Sequence, residues 1–104
     1  MKINRKYYKP AGPVFEKLLK DPEVRFHYEQ SKAKSNIAMA VKAARIKANL
    51  TQAKLAGRIG TTQSVIARLE SGHDTRTPSL PMLAQIAVAC GGSLELGFKF
   101  KHAS

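Results

Sequence analysis

The chain has 104 residues and a formal net charge of +11, from 18 Lys and Arg against 7 Asp and Glu. That length argues for one small domain with an appendage, and that charge favours an anionic partner, nucleic acid or an acidic membrane surface. No apolar run approaches the roughly 20 residues that cross a bilayer, no apolar stretch follows the basic residues 1–10 as in a secretory signal, and the lone cysteine, Cys90, permits no intrachain disulfide, so the expectation is a reduced, cytoplasmic protein with no membrane role.

Residues 1–35 carry nine basic and four acidic side chains, few apolar ones, and Pro10, Gly12, Pro13 and Pro22. Residues 1–12 read as a flexible arm. A short helix is expected over 13–20, with Phe15, Leu18 and Leu19 on one side. Asp21 then caps a second short helix whose first position is Pro22, where the missing N–H costs nothing. Val24 and Tyr28 line one stripe of it. This segment has too little apolar surface to fold alone and is expected to dock on something.

From residue 36 the composition turns rich in Ala, Ile, Leu and Val at helical spacing. A helix is predicted over 36–49, where Ile37, Val41, Ala44 and Ala48 share a face. Thr51 starts another to residue 59, and Thr62 a third to residue 71. Residues 72–78 form a polar loop. Ser79 caps a further helix with Leu83, Ile86, Ala87 and Cys90 as its buried stripe, ended by Gly91 and Gly92. In residues 94–101 apolar residues alternate with others, as in a strand with one buried face. Nothing else in the folded part pairs with it, so Leu94, Leu96, Phe98 and Phe100 are expected to form a two-stranded sheet with a second copy. The expected organisation is an arm over 1–35, a helical domain over 36–92 and a dimerising strand and tail over 93–104.

Residues 52–71 work as one unit. Leu55, Ile59, Ile66 and Leu69 are the inward positions of two helices, and Ala56 allows those helices to cross closely. Gly60 falls at a tight turn that needs a positive φ, and Thr62 is a natural N-cap. Two helices joined by a short glycine turn make a helix-turn-helix. Its second helix presents Thr61, Gln63, Ser64 and Arg68 outward, and the N-terminal end of that helix enters the major groove. Gln63 suits bidentate contact with adenine, Ser64 donates or accepts, and Arg68 reaches guanine or phosphate. Gln52 and Lys54, opening the preceding helix, face the DNA backbone. Arg58 reads as a solvated charge.

Residues 37–96 resemble the Cro/repressor (XRE-type) helix-turn-helix family. The resemblance rests on Leu50-Thr51-Gln52, on Gly60-Thr61-Thr62-Gln63-Ser64, and on Leu69-Glu70-Ser71-Gly72. It implies an all-α, five-helix domain in which Arg45 and Glu70 form a largely buried ion pair. It also marks a departure at Lys54, where the family commonly has an acid that completes a capping box after Thr51. A lysine there is unfavourable at the positive end of a helix unless a phosphate lies nearby.

The whole chain, with Phe15-x-x-Leu-Leu-x-Asp-Pro-Glu-x-x-x-x-Tyr28 before the domain, looks like the HigA-type antitoxins of bacterial toxin–antitoxin pairs. That resemblance implies a homodimer that represses its own operon. It also implies a RelE-like (HigB-type) mRNA-cleaving toxin as partner, met by Phe15, Leu18, Leu19, Val24 and Tyr28. The alternative is a stand-alone regulator whose arm merely binds DNA; a third reading is non-specific RNA binding. Nothing points to an enzyme or a cofactor. His27, His73 and His102 lack metal-ligand spacing, Cys90 lies on an apolar stripe, and Gly91-Gly92 is a helix stop. Tyr7 and Tyr8, between Lys6 and Lys9, have the character of base-stacking residues but read as part of the expected flexible arm.

Overall fold

The computed structural model describes residues 13–73 and 76–100. The expected flexible arm at 1–12 lies outside the described residues, as do positions 74–75 of the polar loop and the chain beyond residue 100. The helices are α1 (Pro13–Leu18), α2 (Pro22–Lys47), α3 (Gln52–Ile59), α4 (Gln63–Ser71) and α5 (Leu80–Ala89). The chain divides into two compact units, residues 1–35 and 36–104.

In the first unit, α1 stops two residues before the expected end. The Glu23 N–H donates to Asp21 Oδ1 at 2.9 Å, and the Arg25 N–H donates to the Asp21 carbonyl at 2.9 Å, so Asp21 caps α2 ahead of Pro22. Phe15 meets Tyr28 edge-on, with ring centroids 5.4 Å apart and planes at 76°. The Lys32 ammonium lies 5.6 Å from the Tyr28 ring centroid, in cation–π range. None of the described residues before 36 is buried.

The two helices expected on either side of residue 35 are one, α2, 26 residues long. After Pro22 the helix contains no proline and no glycine. Ser31, Ser35 and Asn36 are weak helix formers, but each costs only about 0.5 kcal/mol against alanine. The change of composition at residue 35 is therefore a change in burial and leaves the backbone helical. What stops α2 is Asn49, with φ of 58° in the left-handed region. There the Leu50 N–H reaches the Arg45 carbonyl at 3.1 Å and the Asn49 N–H reaches Ile46 at 2.9 Å. This is a Schellman stop built on asparagine.

In the second unit the core is Val41, Leu50, Leu55, Ala56, Ile66, Leu69 and Ile86, with Leu55 and Ile66 fully enclosed. Ile37, Ala48, Ile59, Met82, Leu83, Ala89 and Cys90 pack on it part-buried. Thr51, Thr62 and Ser79 each accept a backbone N–H at a helix start, from Lys54, Val65 and Met82. Gly60 closes α3 at φ of 74°. A Cβ there would meet nothing within 4 Å, so backbone conformation, not space, demands glycine. The five helices among the described residues are spread over both units; residues 36–100 hold the end of α2 and α3 to α5.

The expected strand is not formed: residues 92–100 carry no strand, and all are exposed. A strand exists by hydrogen bonding to a neighbour, and the described residues offer the tail no neighbouring strand. The described fold is accordingly all-helical.

Candidate nucleic-acid interface

Helices α3 and α4 pack together through Leu55, Ala56, Ile66 and Leu69, which turns the opposite side of α4 to solvent. Gln63, Ser64, Ala67, Arg68 and Ser71 are exposed there, at spacings of three and four that make one continuous face. Thr61 is half-buried in the turn, and the exposed Thr62 uses its hydroxyl to accept the Val65 N–H at 3.3 Å. Thr62 therefore caps the first turn of α4. The structure brings Thr61, Thr62, Gln63, Ser64 and Arg68 to the turn and the exposed face of α4. Ala67 was missed by sequence reasoning, although it lies one turn after Gln63. It is small and apolar, the kind of side chain that meets a thymine methyl in a groove. Arg68 also borders a recess of about 190 Å³, beside Val65, Arg76 and Ser79.

A polar network holds this face in place. Arg45 Nε donates to Glu70 Oε2 at 2.7 Å and Nη2 to Oε1 at 3.0 Å, a bidentate pair. Their side chains are 13% and 4% exposed. Arg45 Nη1 donates to the Leu50 carbonyl at 2.8 Å, and Gln52 Nε2 donates to Glu70 Oε1 at 3.2 Å. One carboxylate thus joins the end of α2, the start of α3 and the end of α4. Gln52, expected on the DNA backbone, has its amide turned toward Glu70. Lys54 is exposed at the start of α3.

The charges of this network follow from their surroundings. Burial alone would raise the Glu70 carboxyl. Hydrogen bonds from Arg45 and Gln52, with the charges of Arg45 and Lys42, outweigh it and hold the group below the usual carboxylate range. The hydrogen bond to Glu70 pushes Arg45 up, against burial and with the help of the Glu70 charge. Arg58, read from sequence as a solvated charge, donates from Nη1 to the Ala89 carbonyl at 3.0 Å and ties α3 to the end of α5. A long-range link of this kind leaves no local sequence signal. Cys90 is part-buried, and burial raises its thiol despite the nearby Arg58 and Arg45 charges. That makes it a weak nucleophile.

No group of three or more His, Cys, Asp or Glu among the described residues is placed to hold a metal ion. Among the same residues, no helix is long and apolar enough to cross a membrane. No solved structure matches the chain. A family model described as a helix-turn-helix matches residues 41–96, just over half of the chain and all of α3, α4 and α5. With the packed α3–α4 pair, the glycine turn and the exposed polar face, this match assigns the chain to the XRE-type helix-turn-helix family of DNA-binding regulatory domains.

Proposed function

We propose that the chain is an operator-binding repressor that acts as a homodimer. The observation that carries this reading is the exposed row of Gln63, Ser64, Ala67 and Arg68 on a helix fixed at both ends, by Thr62 and by Glu70. Gln63 and Ser64 read base edges, Arg68 reads guanine or phosphate, and Lys54 neutralises the backbone. Two such helices, about 34 Å apart, enter successive major grooves of an inverted repeat. Selection from a random duplex library tests this. An inverted repeat should be enriched, and its affinity should fall with salt at a log–log slope near −0.9 per phosphate neutralised. No enriched sequence, or equal affinity for random RNA, refutes the reading; so does a flat salt response.

The first unit favours a second role, as the antitoxin surface for a RelE-like toxin. Val14, Leu18, Val24 and Phe26 are exposed there, and no described residue before 36 is buried. Of the residues read from sequence for this contact, Leu18 and Val24 are exposed, Leu19 is half-buried, and Phe15 and Tyr28 meet each other edge-on. Phe26 joins this set. Co-purification with the product of the neighbouring reading frame, lost on deleting residues 1–35, is the expected result. A neighbour unrelated to such toxins leaves a stand-alone regulator.

A further inference from the structure

The C-terminal part of α2, helix α5 and the residues after it enclose an apolar groove of about 640 Å³. Ile37, Ala40 and Ala44 form one wall and Leu83 and Ala87 the other, while Leu94 and Leu96 edge it. Helix α5 carries a single polar side chain, Gln85, yet only Ile86 is buried. A helix apolar on all sides belongs in an interior. Leu96 at the edge of the groove and Phe98 and Phe100 beyond it are 87%, 88% and 85% exposed.

We propose that a second copy of this chain closes the groove, its tail pairing antiparallel with the first about Gly97 so that Phe98 and Phe100 of the second copy lie over it. This rests on the homodimer reading and adds to it the register and the surface that is covered. Pairing about Gly97 sets Leu96 opposite Phe98 and Leu94 opposite Phe100 on one face. Directly opposed residues lie about 5 Å apart. Leu94 and Leu96 edge the groove, so the two phenylalanines of the second copy come to it as well. On the other face Glu95 meets Lys99, once in each half of the pair.

Neighbouring registers lose this match. About Phe98, Lys99 faces Gly97 and Leu94 faces His102, which sets an imidazole on the apolar side. About Leu96, Glu95 faces Gly97 and Lys99 faces Ser93. A shift of one residue between the two strands also turns every side chain of one strand to the wrong face. Gly97 itself tolerates a side chain, since a Cβ there would meet nothing within 4 Å.

Cysteine scanning of the full chain tests the register. With Cys90→Ala as background, single cysteines are placed at each of positions 95 to 99 and oxidised. Gly97→Cys should give the highest yield of disulfide dimer, because only there does a residue face its own copy within bonding distance. Sedimentation of the same variants reports the oligomer. A dimer that cross-links best at Leu96→Cys or Phe98→Cys, or at no position, overturns this inference and leaves the homodimer standing. A monomer overturns both. The groove has its own arm: Ala87→Glu should weaken dimerisation tenfold or more with helicity unchanged. Charge reversal at Glu95→Lys should also weaken it, and adding Lys99→Glu should restore it. Dimerisation unaffected by Glu95→Lys and by Ala87→Glu in a folded chain overturns the covered groove.

Discussion

Residues 13–35 and residues 36–100 are both helical and both basic, yet different forces hold them. The second region encloses Leu55 and Ile66 completely and sets the buried Glu70 carboxylate between Arg45 and Gln52, which joins three chain segments. The first encloses nothing, and its ion pairs lie in solvent. Helical backbone alone is therefore no sign of a folded unit. Propensity and capping extend α2 through both regions, and only from residue 36 does one face of it become buried. The region with a core presents its polar face at a fixed geometry, as base recognition requires. The region without one presents apolar side chains, as a docking segment does.

The sharpest way to break this contrast is to remove Glu70. Glu70→Ala leaves the buried Arg45 guanidinium without its carboxylate, and losing one partner of such a pair costs about 3–5 kcal/mol. Denaturant unfolding should show that loss, and operator affinity should fall with it. Acid should act in the same direction. Glu70 has a folded-state pKa below its unfolded value, so its contribution is complete above the unfolded pKa and disappears as pH falls through the folded one. Arg45, raised further, stays charged throughout. The pH dependence of stability between neutral and strongly acidic conditions should be shallower in Glu70→Gln. An unchanged slope would show that the pair does not set the acid limit.

Next in size is base reading. Gln63→Ala should cost about 1–3 kcal/mol at one base pair of each half-site and relax preference there, as loss of a bidentate adenine contact does. The melting temperature should not move, because the side chain is exposed. Uniform weakening on every sequence would make Gln63 a backbone contact. Below this stands Gly60→Ala. It forces a Cβ into the left-handed region at φ of 74°, costing about 1–2 kcal/mol of stability. Circular dichroism melts would report it.

The sequence carries local features well and distant ones poorly. Thr51, Thr62, Ser79 and Gly60 were legible because each cap or turn is decided by residues within four positions. The α3–α4 core was legible from periodicity. The boundary at residue 35 coincides with the division into compact units but does not interrupt the helix, because composition reports burial and a helix can run from a solvated stretch into a packed one. Asn49 as a helix stop lacked the usual glycine. The engagement of Gln52 with Glu70, and of Arg58 with the Ala89 carbonyl, joins positions 18 and 31 residues apart. Only the fold brings those together. The alternation in the tail is plain in sequence, but alternation alone forms no strand without a paired neighbour, and among the described residues the tail has none.

The smallest expected effect is the one that tests whether the two regions are energetically separate. Glu29 accepts from Arg25 Nε at 3.3 Å, and its other carboxylate oxygen lies 3.4 Å from the Lys32 ammonium. The Arg25 and Glu29 side chains are 51% and 43% exposed. Pairs of this kind, three or four residues apart on a helix, contribute about 0.2–0.5 kcal/mol to the local helix. Glu29→Gln should therefore leave global unfolding of the full chain unchanged within error. It should speed amide hydrogen exchange over residues 22–35, since local opening there is governed by the first region alone. Exchange over residues 50–71 should not respond. A shift of global stability by 1 kcal/mol or more would mean that the continuous helix α2 transmits the loss into the core, and the contrast between a packed region and an unpacked one would no longer describe the energetics.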